Sequence, residues 1–161
     1  MILFYLLPAA ALLHIVEEFV FPGGFGTWYR NYKQDLSASF TAKYLVVINV
    51  ILVLLCLLPL VLELATAVAL WLTMASVVFF NALFHVRGTV RFGRYSPGVV
   101  TSVLVYIPLA LYGYWYFLSM HLAPPEQGIA SLASGLLYWW LSSLNHKRRS
   151  QKILSHTNRP A

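Results

Sequence analysis

The chain has 161 residues, 60% of them hydrophobic and 10% charged, with a mean hydropathy of +0.71; an average soluble domain is about 45–50% apolar and about 25% charged. This composition excludes an ordinary soluble domain and reads as one integral membrane domain embedded in a lipid bilayer. The formal net charge of +6 comes without a basic helix or basic–aromatic interleaving outside loops and tail, so charges that set membrane topology account for it and no nucleic-acid partner is expected.

The apolar runs predict an all-α bundle of five transmembrane helices, each of about 20 residues and able to span a hydrocarbon core of roughly 30 Å. The first covers about 2–21 and stops at Pro22-Gly23-Gly24. It has no basic leader or small-residue cleavage site and carries two carboxylates, so it reads as a permanent helix rather than a signal peptide. A loop follows with Trp28, Tyr29, Arg30, Tyr32 and Lys33, residues of the kind that settle at headgroup level. The second helix starts near Thr41 or Lys43 and ends near Glu63. The third covers about 65–86, after a tight turn at Leu62-Glu63.

The loop Arg87 to Arg94 carries three arginines, and the fourth helix opens near Pro97, where proline suits a first turn, and ends near Met120. Pro124-Pro125 marks the next turn, and the fifth helix covers about 127–145. A stripe of Ser131, Gly135, Tyr138, Ser142 and Asn145 on it reads as a close-packing seam. The tail from His146 to Ala161 is basic and expected to be mobile. The organisation is thus a five-helix domain, 1–145, and a basic cytoplasmic tail, 146–161.

All eleven Lys and Arg residues fall beyond alternate ends of these crossings: Arg30, Lys33, Lys43, Arg87, Arg91, Arg94, Lys147, Arg148, Arg149, Lys152 and Arg159. The positive-inside rule then puts the N-terminus outside and the C-terminus in the cytoplasm. The lone Cys56, in an apolar run, leaves no disulfide framework and no thiolate metal site.

Ionisable groups inside an apolar helix are costly and point to function. His14, Glu17 and Glu18 are such a group. At about 100° per residue, Glu18 lies about 40° to one side of His14 and Glu17 about 60° to the other, so all three share a face. Asn81 and His85, four residues apart near the end of the third helix, and Asn49, near the start of the second, fall at similar depth. Tyr95, Ser96, Thr101, Ser102 and Tyr106 add polar groups from the fourth helix near the same boundary. Glu63, His121, Glu126, His146 and His156 read as solvated. The competing structural account makes the first cluster an interfacial turn whose carboxylates reach water or pair with Arg30 or Lys33, Asn49 an interhelical hydrogen bonder, and His85 an interfacial residue.

The run His14-Ile15-Val16-Glu17-Glu18, followed by Asn81 with His85 and by Pro97-Gly98 with Thr101, resembles the HXXEE family of small prokaryotic membrane proteins. The likeness covers about residues 10–105. It implies an enzyme, without an assigned reaction, in a prokaryotic inner membrane.

Two chemistries suit the cluster. His14, Glu17, Glu18 and His85 are candidate ligands of a divalent metal, Fe, Zn or Mn, with open positions for water or substrate. Alternatively, a carboxyl group working against a histidine is an acid–base pair for isomerase-, cyclase- or hydrolase-like chemistry, two adjacent carboxylates in low dielectric tending to share a proton. Either way the expected substrate is a hydrophobic small molecule or lipid. Asn49, Asn81, Tyr95 and Thr101 are the candidate substrate-orienting groups. The absence of a Gly-rich phosphate loop and of a Ser elbow argues against nucleotide-driven or serine-based chemistry. A proton- or cation-coupled carrier using the same carboxylates is the competing class, and a non-catalytic partner subunit a third; a homo-oligomer stays open.

Overall fold

The structure is a computed structural model that describes residues 1–20, 23–32, 39 and 41–157. Phe21, Pro22, Lys33 and Arg159 lie outside the described residues, as does the side chain of His156. The expected end of the first helix at Phe21-Pro22 and the loop position of Lys33 therefore fall there too.

Every described element is helical. In chain order they are α1 (Leu3–Val20), α2 (Gly24–Tyr32), α3 (Ala42–Leu57), a 3-10 turn (Leu58–Leu60), α4 (Leu64–Phe92), α5 (Val99–Thr101), a π-helical turn (Ser102–Tyr106), α6 (Ile107–Ser119) and α7 (Pro125–Thr157). Four stretches are long and apolar enough to cross a membrane: Leu3–Val20, Ala42–Leu60, Leu64–Phe92 and Val99–Ser119. Their outward faces carry bare aliphatic side chains, such as Val61 at 80% and Leu104 at 69% exposure. Soluble monomers rarely expose contiguous apolar patches above a few hundred Å². A lipid environment removes that cost, so the chain is a membrane protein.

The helix ends follow from local chemistry. Thr41 caps α3 by accepting the Tyr44 N–H on its hydroxyl at 3.2 Å. Gly93 closes α4 in the left-handed region (φ +64), its N–H reaching the Thr89 carbonyl, a stop that favours glycine because no Cβ is strained. The π turn closes with the Ile107 N–H on the Ser102 carbonyl, five residues back. Pro108 follows directly, and a residue without an N–H at that point loosens the α-helical ladder.

α4 is the central element. Its Trp71 is fully buried and donates from Nε1 to the Leu3 carbonyl at 2.8 Å, tying α1 to it. Phe117 of α6 packs edge-on against the Trp71 ring at 5.1 Å. On the other side α7 lies close: a Cβ on Gly135 would run into Ser76, whose hydroxyl donates to the Leu132 carbonyl at 3.3 Å. Ser131 is buried in the same contact and receives a 3.5 Å hydrogen bond from Thr73. The small-residue seam is therefore real at Ser131 and Gly135, while Tyr138 and Asn145 turn outward.

Three local expectations change. The segment after Gly24 is a helix, not a loop, and it buries Phe25, Trp28 and Tyr29. α4 runs through Arg87 and Arg91 to Phe92, so the arginine "loop" is largely its last two turns. α7 does not stop at Asn145 but continues to Thr157. Its His146, expected in solvent, is buried, with Nδ1 2.9 Å from the Ser39 hydroxyl and Nε2 3.2 Å from that of Tyr44.

Candidate functional site

At one end of the bundle the last turns of α1 and α4 meet the turn that opens the Val99–Ser119 stretch. His14, Glu17 and Glu18 of α1, His85 of α4 and Thr101 of α5 are all buried there. The α1 side chains share a face, as the helical period requires, but the two carboxylates have separate partners.

Glu17 is saturated. Its Oε1 accepts from the Tyr95 hydroxyl at 2.5 Å and the Val100 N–H at 3.0 Å, and its Oε2 from the Thr101 N–H at 2.7 Å and the Thr101 hydroxyl at 2.5 Å. The first N–H groups of a helix have no internal partner and prefer a negative charge beside them. Gly98 precedes this helix without a side chain to cap it, so a carboxylate from α1 caps it in trans. Glu17 thus departs from the expected ligand set: both oxygens are committed to the helix start. Tyr95, in the loop before that start, has its phenol pKa raised by burial and by the Glu17 carboxylate its hydroxyl serves.

Glu18 faces the imidazoles instead. Its Oε1 lies 3.5 Å from His14 Nε2 and 3.2 Å from His85 Nε2. The His85 approach is short but off the hydrogen-bond line, so its buried Nε2 has no hydrogen-bond partner. One ligand-capable atom from each of His14, Glu18 and His85 lies within 4.8 Å of the other two. With metal–ligand bonds of about 2.0–2.1 Å, tetrahedral ligands stand roughly 3.3 Å apart, and the two measured separations match that edge. These three residues could hold a divalent ion; Glu17 could not without abandoning the helix start.

Each imidazole is anchored on its far side. His14 Nδ1 is 2.8 Å from the Thr101 hydroxyl, and His85 Nδ1 is 3.1 Å from that of Ser96. The Asn81 amide nitrogen lies 3.2 Å from His14 Nε2. The rings meet edge to face at 5.0 Å, with Tyr106 packed against His14 at 4.6 Å and Phe25 against His85 at 5.3 Å. Gly98 makes room for both: it adopts φ +97, and a Cβ there would stand 2.7 Å from His14 Cε1 and 2.9 Å from His85 Cε1. The Pro-Gly turn is therefore part of the wall of the site.

Of the expected site residues, His14, Glu17, Glu18, His85, Asn81, Tyr95 and Thr101 are brought together. Asn49 is not: it lines an apolar cleft of about 420 Å³ with Leu12, Ile15, Phe19 and Val46, on a different face of α1. The interfacial pairing with Arg30 is absent, since that exposed guanidinium turns to the Thr27 hydroxyl at 3.0 Å. Ser96 is a buried contact of His85 that the sequence marked only as one polar group near the boundary, one residue before the Pro-Gly turn.

Comparison with curated proteins and with solved structures returned no match. The family comparison matches residues 5–113, covering α1 to the middle of α6 and every member of the cluster. The chain belongs to the family of proteins of unknown function with an HXXEE motif.

Proposed function

We propose that the chain is an intramembrane enzyme whose centre is a single divalent ion held by His14 Nε2, His85 Nε2 and a Glu18 oxygen, acting on a lipid-like substrate. The observation that carries this reading is the convergence of the fully buried His85 Nε2 on Glu18 Oε1 at 3.2 Å without a well-aligned hydrogen bond, within 4.8 Å of the His14 ligand atom. Buried imidazole and carboxylate atoms that converge without good hydrogen-bond geometry are poorly satisfied, and an ion at their shared focus would ligate them together. Two imidazoles and one carboxylate suit Zn, Fe(II) or Mn and leave open positions. Such an ion supplies a Lewis acid or a deprotonated water at neutral pH.

The chain's own groups define the rest. Phe25, Phe84 and Tyr106 pack against the imidazoles and exclude bulk water. The Asn81 amide occupies the His14 Nε2 lone pair at 3.2 Å until an ion takes that place, and is then released to orient an incoming polar atom. The Tyr95 side chain, 39% exposed, links Glu17 to the surface. We place this end at the cytoplasmic face, where Arg87, Arg91 and Arg94 follow His85. We also take the first half of α7 as a fifth crossing, since Ile129, Leu132, Leu136 and Leu141 present an apolar outer face.

The carrier alternative needs access from both faces. The far half of the bundle is filled by Leu3, Leu7, Val68, Trp71, Leu72 and Phe117, each at most 3% exposed, which favours the enzyme. Metal analysis by mass spectrometry on detergent-purified protein tests the proposal. About one ion per chain is expected in wild type and in Asn49→Leu, and none in Glu18→Gln or His85→Gln. Wild-type protein that holds no ion and takes up none from added Zn, Fe(II) or Mn overturns the metal centre.

A further inference from the structure

We infer that Glu17 and Thr101 are positioning residues that fix the tautomer of His14, leaving its Nε2 unprotonated toward Glu18 and His85. For metal affinity the inference rests on the reading above; for the tautomer it stands alone. The assignment follows from donor counting. An ionised carboxylate only accepts, and a threonine hydroxyl has one hydrogen. The Thr101 hydroxyl is 2.5 Å from Glu17 Oε2, so it donates there. With its one hydrogen used, the hydroxyl can only accept from His14 Nδ1 at 2.8 Å, so the imidazole donates there. The proton of His14 is therefore on Nδ1.

A second contact agrees independently. The Asn81 amide nitrogen, 3.2 Å from His14 Nε2, has only hydrogens to offer, so that ring nitrogen must present a lone pair. Glu17 cannot rotate to reverse the order, because the Val100 and Thr101 backbone N–H groups hold both its oxygens. The motif's adjacent carboxylates thus divide the work. Glu18 faces the centre, while Glu17 works through the Thr101 hydroxyl and also caps the helix that carries it. Outer contacts of this kind orient a ligating histidine, and their loss typically lowers metal affinity about 10–100-fold.

The test is nitrogen-15 NMR of histidine-labelled, metal-free protein in detergent, with the His14 signal identified by its loss in His14→Gln. Wild type is expected to show the Nδ1–H form. Thr101→Val, which keeps the shape and removes the hydroxyl, should lose that preference, and Thr101→Ser should restore it. Zn affinity by competition should fall about 10–100-fold in Thr101→Val and recover in Thr101→Ser. An Nε2–H form in wild type, or Thr101→Val matching wild type in both readouts, overturns the inference. Wild-type protein that shows the Nδ1–H form but takes up no Zn, Fe(II) or Mn sinks the metal centre and leaves the tautomer assignment standing.

Discussion

Replacing Gly98 by alanine isolates the cost of crowding the two histidines. Two effects add at this position. The φ of +97° lies in the region that costs an L-residue roughly 1–2 kcal/mol. The new Cβ would also stand 2.7 Å from His14 and 2.9 Å from His85, and overpacking of this kind costs about 1–3 kcal/mol. The expected loss for Gly98→Ala is therefore about 2–5 kcal/mol. Gly93 supplies the internal control, because its φ is +64° but nothing stands within 4 Å of an added Cβ. Gly93→Ala should lose only the backbone part, roughly 1–2 kcal/mol. The gain from a stiffer unfolded chain is common to both and cancels in the comparison. Equilibrium unfolding in mixed detergent–SDS micelles, followed by circular dichroism, measures the difference. Equal losses in the two variants would refute the claim that the Pro-Gly turn abuts both imidazoles.

Two other glycines make parallel tests. At Gly88 an added Cβ would stand 2.6 Å from the Trp28 ring, so Gly88→Ala should displace α2; tryptophan emission shifted to longer wavelength and faster proteolysis between α1 and α3 would record it, and unchanged emission would contradict the packing. At Gly135 the obstacle includes the carbonyl carbon of Ser76, 2.8 Å away, which cannot swing aside, so Gly135→Ala should cost about 1–3 kcal/mol while the exposed Ser134→Ala stays within about 0.5 kcal/mol; a neutral Gly135→Ala in the same unfolding assay would refute the close α4–α7 approach.

The polar cluster was legible because helical periodicity alone puts His14, Glu17 and Glu18 on one face and Asn81 above His85. The Pro97-Gly98 turn was legible as punctuation. The division between the two carboxylates was not: they differ by one position, and only the approach of the Val99 helix start decides which of them it captures. Asn49 was misplaced because depth along a helix says nothing about azimuth, and its side chain opens toward the other flank of α1. Gly24 to Tyr32 read as a loop because its glycines and aromatics obscure a helix that is stabilised by docking Phe25, Trp28 and Tyr29 rather than by propensity. The extension of α7 had a signal: no glycine or proline occurs between Gly135 and Pro160. The basic run Lys147-Arg148-Arg149 masks that signal. α7 is not among the four stretches apolar enough to cross a membrane, since serines, Gln127 and the run Tyr138-Trp139-Trp140 dilute the apolar content of its first half.

The π turn at Ser102–Tyr106 has a consequence for how this family can vary. In a regular α-helix, residues five apart are about 140° out of phase. A turn that closes on the fifth residue stacks them instead, which lets Thr101 reach His14 with its hydroxyl while Tyr106 covers the same ring. Deleting one residue between Val103 and Val105 would close the turn on the fourth residue and leave that pair only about 40° out of phase, so the downstream face would keep nearly its present direction. A single-residue gap in this stretch should therefore be borne more easily than one in the regular helix that follows, while Tyr106, packed on the His14 ring, should resist exchange.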